Sequence, residues 1–75
     1  MITEERIMDI IIGWLMDEKK EITKESNFVD DLGLDSLDMI ELKMIFEEEM
    51  GIEIPNEDIY EAKTVRELIS YLKRK

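Results

Sequence analysis

The sequence predicts an all-α fold: a small four-helix bundle with three longer helices, one short helix, and a long loop between the first and second. Three observations carry this reading. Apolar residues recur at helical spacing in three segments, around 7–15, 39–50 and 65–72, and no segment alternates apolar with polar residues as a half-buried strand does. A helix-start residue precedes each segment: Thr3, Asp35 and Thr64. Between the second and third helical stretches stand Gly51, which can end a helix in a left-handed turn, and Pro55, which forces the residue before it out of the helical region.

Thr3 is a suitable N-cap, with Glu4 and Glu5 well placed in the first turn, and the first helix is expected to run to about Asp17. On a wheel, Ile7, Met8, Ile10, Ile11, Ile12, Trp14 and Leu15 cover an arc of about 200°, wide enough to predict contact with two neighbours. Trp14 reads as core or core edge rather than as a ligand contact. Residues 18–34 show no sustained period. A connection this long in a small domain must be pinned by its own apolar residues, and Ile22, Phe28, Val29, Leu32 and Leu34 are spaced to do so while positioning Gly33 and Ser36. The nearby acids do not make a dedicated calcium loop: counted from Asp30, the loop position that needs Gly is Asp35, and counted from Asp31, the final ligand position is Leu42.

The second helix is predicted from Ser36 to about Met50 and divides into three arcs. Met39, Leu42, Phe46 and Met50 form the core stripe, and Asp38, Glu41, Glu48 and Glu49 an acidic arc broken only by Ile45. Leu37, Ile40 and Met44 form a third, apolar arc beside the acids, which either packs under the long loop or faces partners. Gly51 ends this helix and residues 52–55 form an extended connector. Asn56 is expected to cap a short helix over Glu57 to Glu61. Thr64 and Glu67 match a capping box, and Val65, Leu68, Ile69 and Leu72 give the last helix its buried stripe. Lys73, Arg74 and Lys75 lie where cations complement its dipole.

Seventy-five residues imply one domain, 1–75, near the lower size limit for a stable core. The chain has no Cys and no His, so disulfides, thiolate metal sites and the commonest general base are excluded, and no constellation supports an enzyme. The N-terminal residues lack the basic region of a signal peptide, and the longest stretch without a charge, Ile10 to Met16, is far short of the roughly 20 residues that span a bilayer. A cytoplasmic monomer without a membrane role is expected. Net charge is −10 and unevenly spread: residues 30–61 hold twelve acids against one base, Lys43, while the rest of the chain has eight acids and nine bases. Such a field repels nucleic acid and anionic lipid and steers basic protein surfaces toward the acidic half.

That half contains the stretch from Asp30 to Leu42, in which Gly33 permits a bend and Asp35 can cap the helix that opens with Ser36. A hydroxyl at a helix N-terminus suits a phosphate ester, because free N–H groups and the dipole's positive end face an anion there. The serine cannot activate itself. There is no His, and Lys43 lies seven residues on, roughly 10 Å along the axis. Leu32-Gly33-Leu34-Asp35-Ser36-Leu37, the acid-rich helix after it, and Ile54-Pro55 together resemble an acyl carrier protein of the fatty-acid type, and the similarity spans essentially the whole chain. The resemblance implies that Ser36, flanked by Asp35 and Leu37, carries covalent 4′-phosphopantetheine, whose thiol holds acyl groups as thioesters. It further implies loading by a phosphopantetheinyl transferase and service to acyl-processing enzymes with basic docking surfaces, through Leu37, Asp38, Ile40, Glu41, Met44, Glu47 and Glu48. Leu34 and Lys43 depart from the family pattern, which favours a small and an apolar residue there. Two rival readings are a specialised carrier for a secondary metabolite, modified lipid or aminoacyl group, and an acidic interaction module that is never modified.

Overall fold

The computed structural model describes residues 2–16 and 22–75, and among these residues it has four helices: α1 (Glu4–Leu15), α2 (Ser36–Met50), α3 (Asn56–Glu61) and α4 (Val65–Lys73). Helix α1 starts where Thr3 Oγ1 accepts the Arg6 N–H at 3.1 Å. It stops at Leu15 because Met16 turns left-handed, at φ 53°, and donates its N–H to Ile12 O. The expected end at Asp17 lies outside the described residues. The apolar arc of α1 is narrower in use than expected. Ile7 and Ile11 are fully buried and Met8, Ile10, Trp14 and Leu15 pack at the core's edge, but Ile12 is 49% exposed. The reason is size: this face of α1 packs against α4, and a domain this small does not cover the whole arc.

Helix α2 is capped at both ends by the anticipated residues. Asp35 opens it, and Gly51, at φ 65°, closes it with an N–H bond to Glu47 O. Met39, Leu42 and Phe46 are buried from the core stripe, with Met50 only partly so. Helix α3 differs from expectation by one residue. Pro55 occupies the N-cap, and Asn56 is the first helical residue, so no side chain caps this helix. Proline suits the spot because its φ is fixed in a range the helix entry needs and it lacks a donor that would go unused. Helix α4 has the predicted capping box, with Thr64 and Glu67 exchanging bonds between side chain and backbone, and all four stripe residues are buried.

The loop before α2 is held by its own polar groups as well as by the core. Asp31 Oδ2 accepts the Asn27 N–H at 2.7 Å, while Asn27 Oδ1 accepts from Val29 and Asp30. Phe28, Leu32 and Leu34 are buried beneath. Ile22 packs partly against the core, but Val29, expected to tuck in, is 59% exposed. The Asn27 turn explains this, since it points the chain inward at Phe28 and therefore outward at the next residue. A second tie joins this loop to the connector between α3 and α4. Phe28 N–H bonds to Lys63 O at 2.9 Å, Val65 N–H to Ser26 O at 3.1 Å, and Asn27 and Thr64 form an isolated antiparallel bridge. Two segments far apart in sequence are thereby locked side by side.

Candidate functional site

Ser36 is exposed as the first residue of α2. Its place is set by three neighbours. Gly33 takes φ 71°, a left-handed conformation that a Cβ would strain, and this turns the chain from the loop toward the helix. Leu34 is buried, and its N–H bonds to Phe28 O at 3.0 Å, so the backbone two residues before the serine is fixed to the core. Asp35 then accepts the Asp38 N–H at 2.9 Å, and the Asp38 carboxylate accepts the Asp35 N–H at 3.2 Å, closing a capping box. The bulky Leu34 is thus an anchor of the loop.

The capping box leaves the Ser36 and Leu37 N–H groups, among the described residues, without a protein acceptor at the positive end of the α2 dipole. An anion on Ser36 Oγ would meet them. Beside the serine opens a cleft of about 310 Å³ lined by the loop residues Asn27, Phe28, Val29 and Asp30, by Asp35, Ser36 and Met39, and by Tyr60, Ala62 and Lys63. These residues fit a phosphate-linked arm: an exposed hydroxyl, unused donors, and an adjoining recess of mixed polarity. No His is present to take the serine's proton, and Lys43 is engaged elsewhere, its ammonium 3.3 Å from both oxygens of Glu47.

The residues expected at a docking surface do not behave alike. Leu37 is 77% exposed and Met44 56%, so this apolar arc faces outward at both ends, while Ile40 between them is half-buried against the core. Glu41 and Glu48 are exposed. Asp38 is half-buried and used by the capping box. Glu47 is engaged inside the fold, where its carboxylate accepts the Ile54 N–H at 2.8 Å as well as holding Lys43. The Ile54 amide, and after it Lys43, hold this carboxyl below the usual carboxylate range. Glu47 therefore ties the connector after Gly51 to α2, a use different from the expected recognition of partners. Lys43, the other departure from the family pattern, is explained by the same contact.

Comparison with known proteins decides the family. Residues 5–72 match the family model described as a phosphopantetheine attachment site. The chain belongs to the acyl carrier protein family. It is 46% identical over 70 residues to acyl carrier proteins of Zymomonas mobilis and Bdellovibrio bacteriovorus, covering 93% of this chain and 90% of each relative. A solved structure from Mycobacterium tuberculosis, provisionally assigned as an acyl carrier protein, superposes with a TM-score of 0.82 at 34% identity over 95% of both chains. Acyl carrier proteins are carriers rather than enzymes, with covalent 4′-phosphopantetheine as the working group, loaded by a phosphopantetheinyl transferase and presented to acyl-processing enzymes. Among the described residues, no helix is long and apolar enough to cross a membrane.

The sequence reading missed the far wall of the cleft. Tyr60, Ala62 and Lys63 lie more than twenty residues from Ser36 and join it through the packing of α3 on α2 and through the loop–connector bonds. A backbone pairing of this kind leaves no periodic signal in either segment.

Proposed function

We propose that Ser36 is the attachment point of 4′-phosphopantetheine and that the chain carries acyl intermediates of fatty-acid synthesis as thioesters on that arm. The observation that carries the assignment is the exposed Ser36 hydroxyl on the first turn of α2, next to two unused backbone donors and an open cleft. In loading, Ser36 Oγ attacks the pantetheine-bearing phosphorus of coenzyme A; the pyrophosphate P–O bond breaks, adenosine 3′,5′-bisphosphate leaves, and the hydroxyl proton passes to a base on the transferase, since this chain has no His to take it. Asp35 and Leu37 contribute as the cap behind the serine and the exposed contact ahead of it.

Partners are recognised, on this reading, by Leu37 and Met44 as contact area, with Ile40 behind them and Glu41, Glu48 and the remaining face of Asp38 as the steering charges. Basic docking surfaces on the transferase and on acyl-processing enzymes would complement the acids. On this reading the chain works in the cytoplasm as a monomer.

The test is incubation with a phosphopantetheinyl transferase and coenzyme A, read by intact mass and by mapping of the Ser36 peptide. Wild type should gain one arm. Ser36→Ala should gain none while keeping its helical circular dichroism, because Asp35 supplies the cap. Modification of the alanine variant would refute the site. The thioester mass of protein taken from its own cells distinguishes a fatty acyl cargo from a specialised one. In the same loading assay, reversing Glu41 and Glu48 to Lys should slow association and weaken its salt dependence, whereas replacing Met44 by Ser should speed dissociation. Unchanged association in the charge reversals would leave the acids as a solvated face.

A further inference from the structure

The cleft beside Ser36 has an electrostatic asymmetry. Among the residues that line it, Asp30 and Asp35 are acids, and Lys63 alone is a cation. The position of Lys63 is not loose. Its carbonyl accepts the Phe28 N–H at 2.9 Å, and the Phe28 carbonyl in turn accepts the Leu34 N–H at 3.0 Å. Two backbone bonds therefore connect the Lys63 main chain to the segment that delivers Ser36. The bridge between Asn27 and Thr64 and the bond from Val65 to Ser26 hold the same register on the following residues. The Lys63 side chain is exposed and makes no ion pair with a described residue, in contrast to Arg6, Lys24, Lys43 and Arg66.

A phosphodiester on Ser36 adds a negative charge to the half of the chain that already has twelve acids and one base, with that base, Lys43, taken by Glu47. The new anion stands next to Asp35 and near Asp30. The cation fixed across the cleft is the group that can offset it. We infer that Lys63 is a positioning residue for the loaded arm: its ammonium pairs with the phosphodiester on Ser36 and biases the arm into the cleft between the loop and α3, past Val29 and Tyr60, rather than over Leu37 and Met44. The inference rests on Ser36 as the attachment point. It explains why two exposed side chains, Val29 at 59% and Tyr60 at 44%, stand at this cleft. An arm held there leaves the Leu37–Met44 face free for a docking enzyme, and an approaching basic surface would compete with Lys63 for the phosphate and release the arm.

The experiment compares apo and loaded protein by amide NMR, in wild type, Lys63→Gln and Lys63→Arg. Intact mass is recorded on every sample to establish loading at Ser36. The substitutions leave the Lys63 carbonyl and its bond to Phe28 in place, and apo spectra report whether the fold is unchanged. In wild type, loading should shift the amides of Val29, Tyr60 and Lys63 more than those of Ile40 and Met44. Lys63→Gln should lower the cleft-bound population of the arm roughly twofold to fivefold, the range exposed ion pairs give, and Lys63→Arg should restore it. Raising salt from about 0.01 M to about 1 M, which shortens the screening length from about 30 Å to about 3 Å, should mimic Lys63→Gln in the wild type and change Lys63→Gln little. Fully loaded Lys63→Gln with wild-type shifts would overturn the role of Lys63. Absence of loading at Ser36 in wild type would overturn the attachment site and remove the anion on which this role depends.

Discussion

The α2 capping box offers a clean separation of fold from chemistry, because Asp35 touches the helix start and Ser36 is the next residue. Asp35→Ala removes the acceptor of the Asp38 N–H, a 2.9 Å bond, and leaves the Asp38 carboxylate with only half of the reciprocal pair. Loss of such a cap costs about 1 kcal/mol, with a range of roughly 0.5–2. A chain of 75 residues holds about 4–11 kcal/mol of folding free energy, so the loss is a substantial fraction. For a domain of this size it should lower Tm by about 4–8 °C. Asp35→Asn keeps a side-chain oxygen for the same N–H. It gives up the favourable charge at the dipole's positive end, but it also relieves repulsion within the acidic half, so its fall should be clearly smaller. The assay is thermal unfolding followed by circular dichroism, with hydrogen exchange at the Asp38 amide as the local readout. Protection there should drop about fivefold in the alanine variant, matching about 1 kcal/mol of local opening. A Tm for Asp35→Ala within about 1 °C of wild type, or an asparagine variant as unstable as the alanine one, would refute the cap as the source of the effect.

Two further outcomes follow from the charges. Added salt or millimolar magnesium should raise Tm, because of the twelve acids in residues 30–61 only Glu47 and Glu49 pair with a described base; melting that ignores ionic strength would contradict this. The Glu47 carboxyl is lowered in the fold by the Ile54 N–H and by Lys43, so its stabilisation is complete above its unfolded value near 4.5 and is lost as pH falls through the lower folded value. The stability difference between wild type and Glu47→Gln, measured by urea unfolding, should therefore shrink on acidification through that window; a difference equal at neutral and acid pH would refute the linkage.

Helix starts and stops were readable because they depend on side chains within four residues of one another. Thr3, Asp35, Gly51 and Thr64 all take the positions their chemistry predicts. Asn56 does not: Pro55 takes the N-cap position with its extended backbone and no side-chain bond, and Asn56 becomes the first helical residue. The core stripe of α4, and that of α2 apart from the partly buried Met50, were readable from period alone. The limits of α1's buried arc were not, because coverage of Ile12 depends on which helices lie nearby. Glu47 shows the same limit in the site. On a wheel it is one acid among several, and only the return of the connector at Ile54 turns its carboxylate inward. Lys63 enters for a related reason, through backbone bonds between segments with no shared pattern.

The capping geometry also bears on how an attached arm can behave. In the first turn of α2 the Asp38 N–H is taken by Asp35, and the Asp35 N–H by Asp38. On the proposed attachment at Ser36, a phosphate meets at the helix end itself the Ser36 and Leu37 amides beside the Asp35 and Asp38 carboxylates, with Lys63 across the cleft as the opposing charge. Had the cap been a neutral serine or threonine, the helix end would present the same donors with less opposing charge and would hold a phosphate more firmly. Tight retention would work against a carrier, whose cargo must leave the protein surface and enter another active site. The carboxylates at the cap thus do two things at once. They fix the backbone at Ser36, and they keep the helix end a weak anion site. On the proposed attachment at Ser36, a rigid anchor and a loosely held arm follow from the same pair of hydrogen bonds.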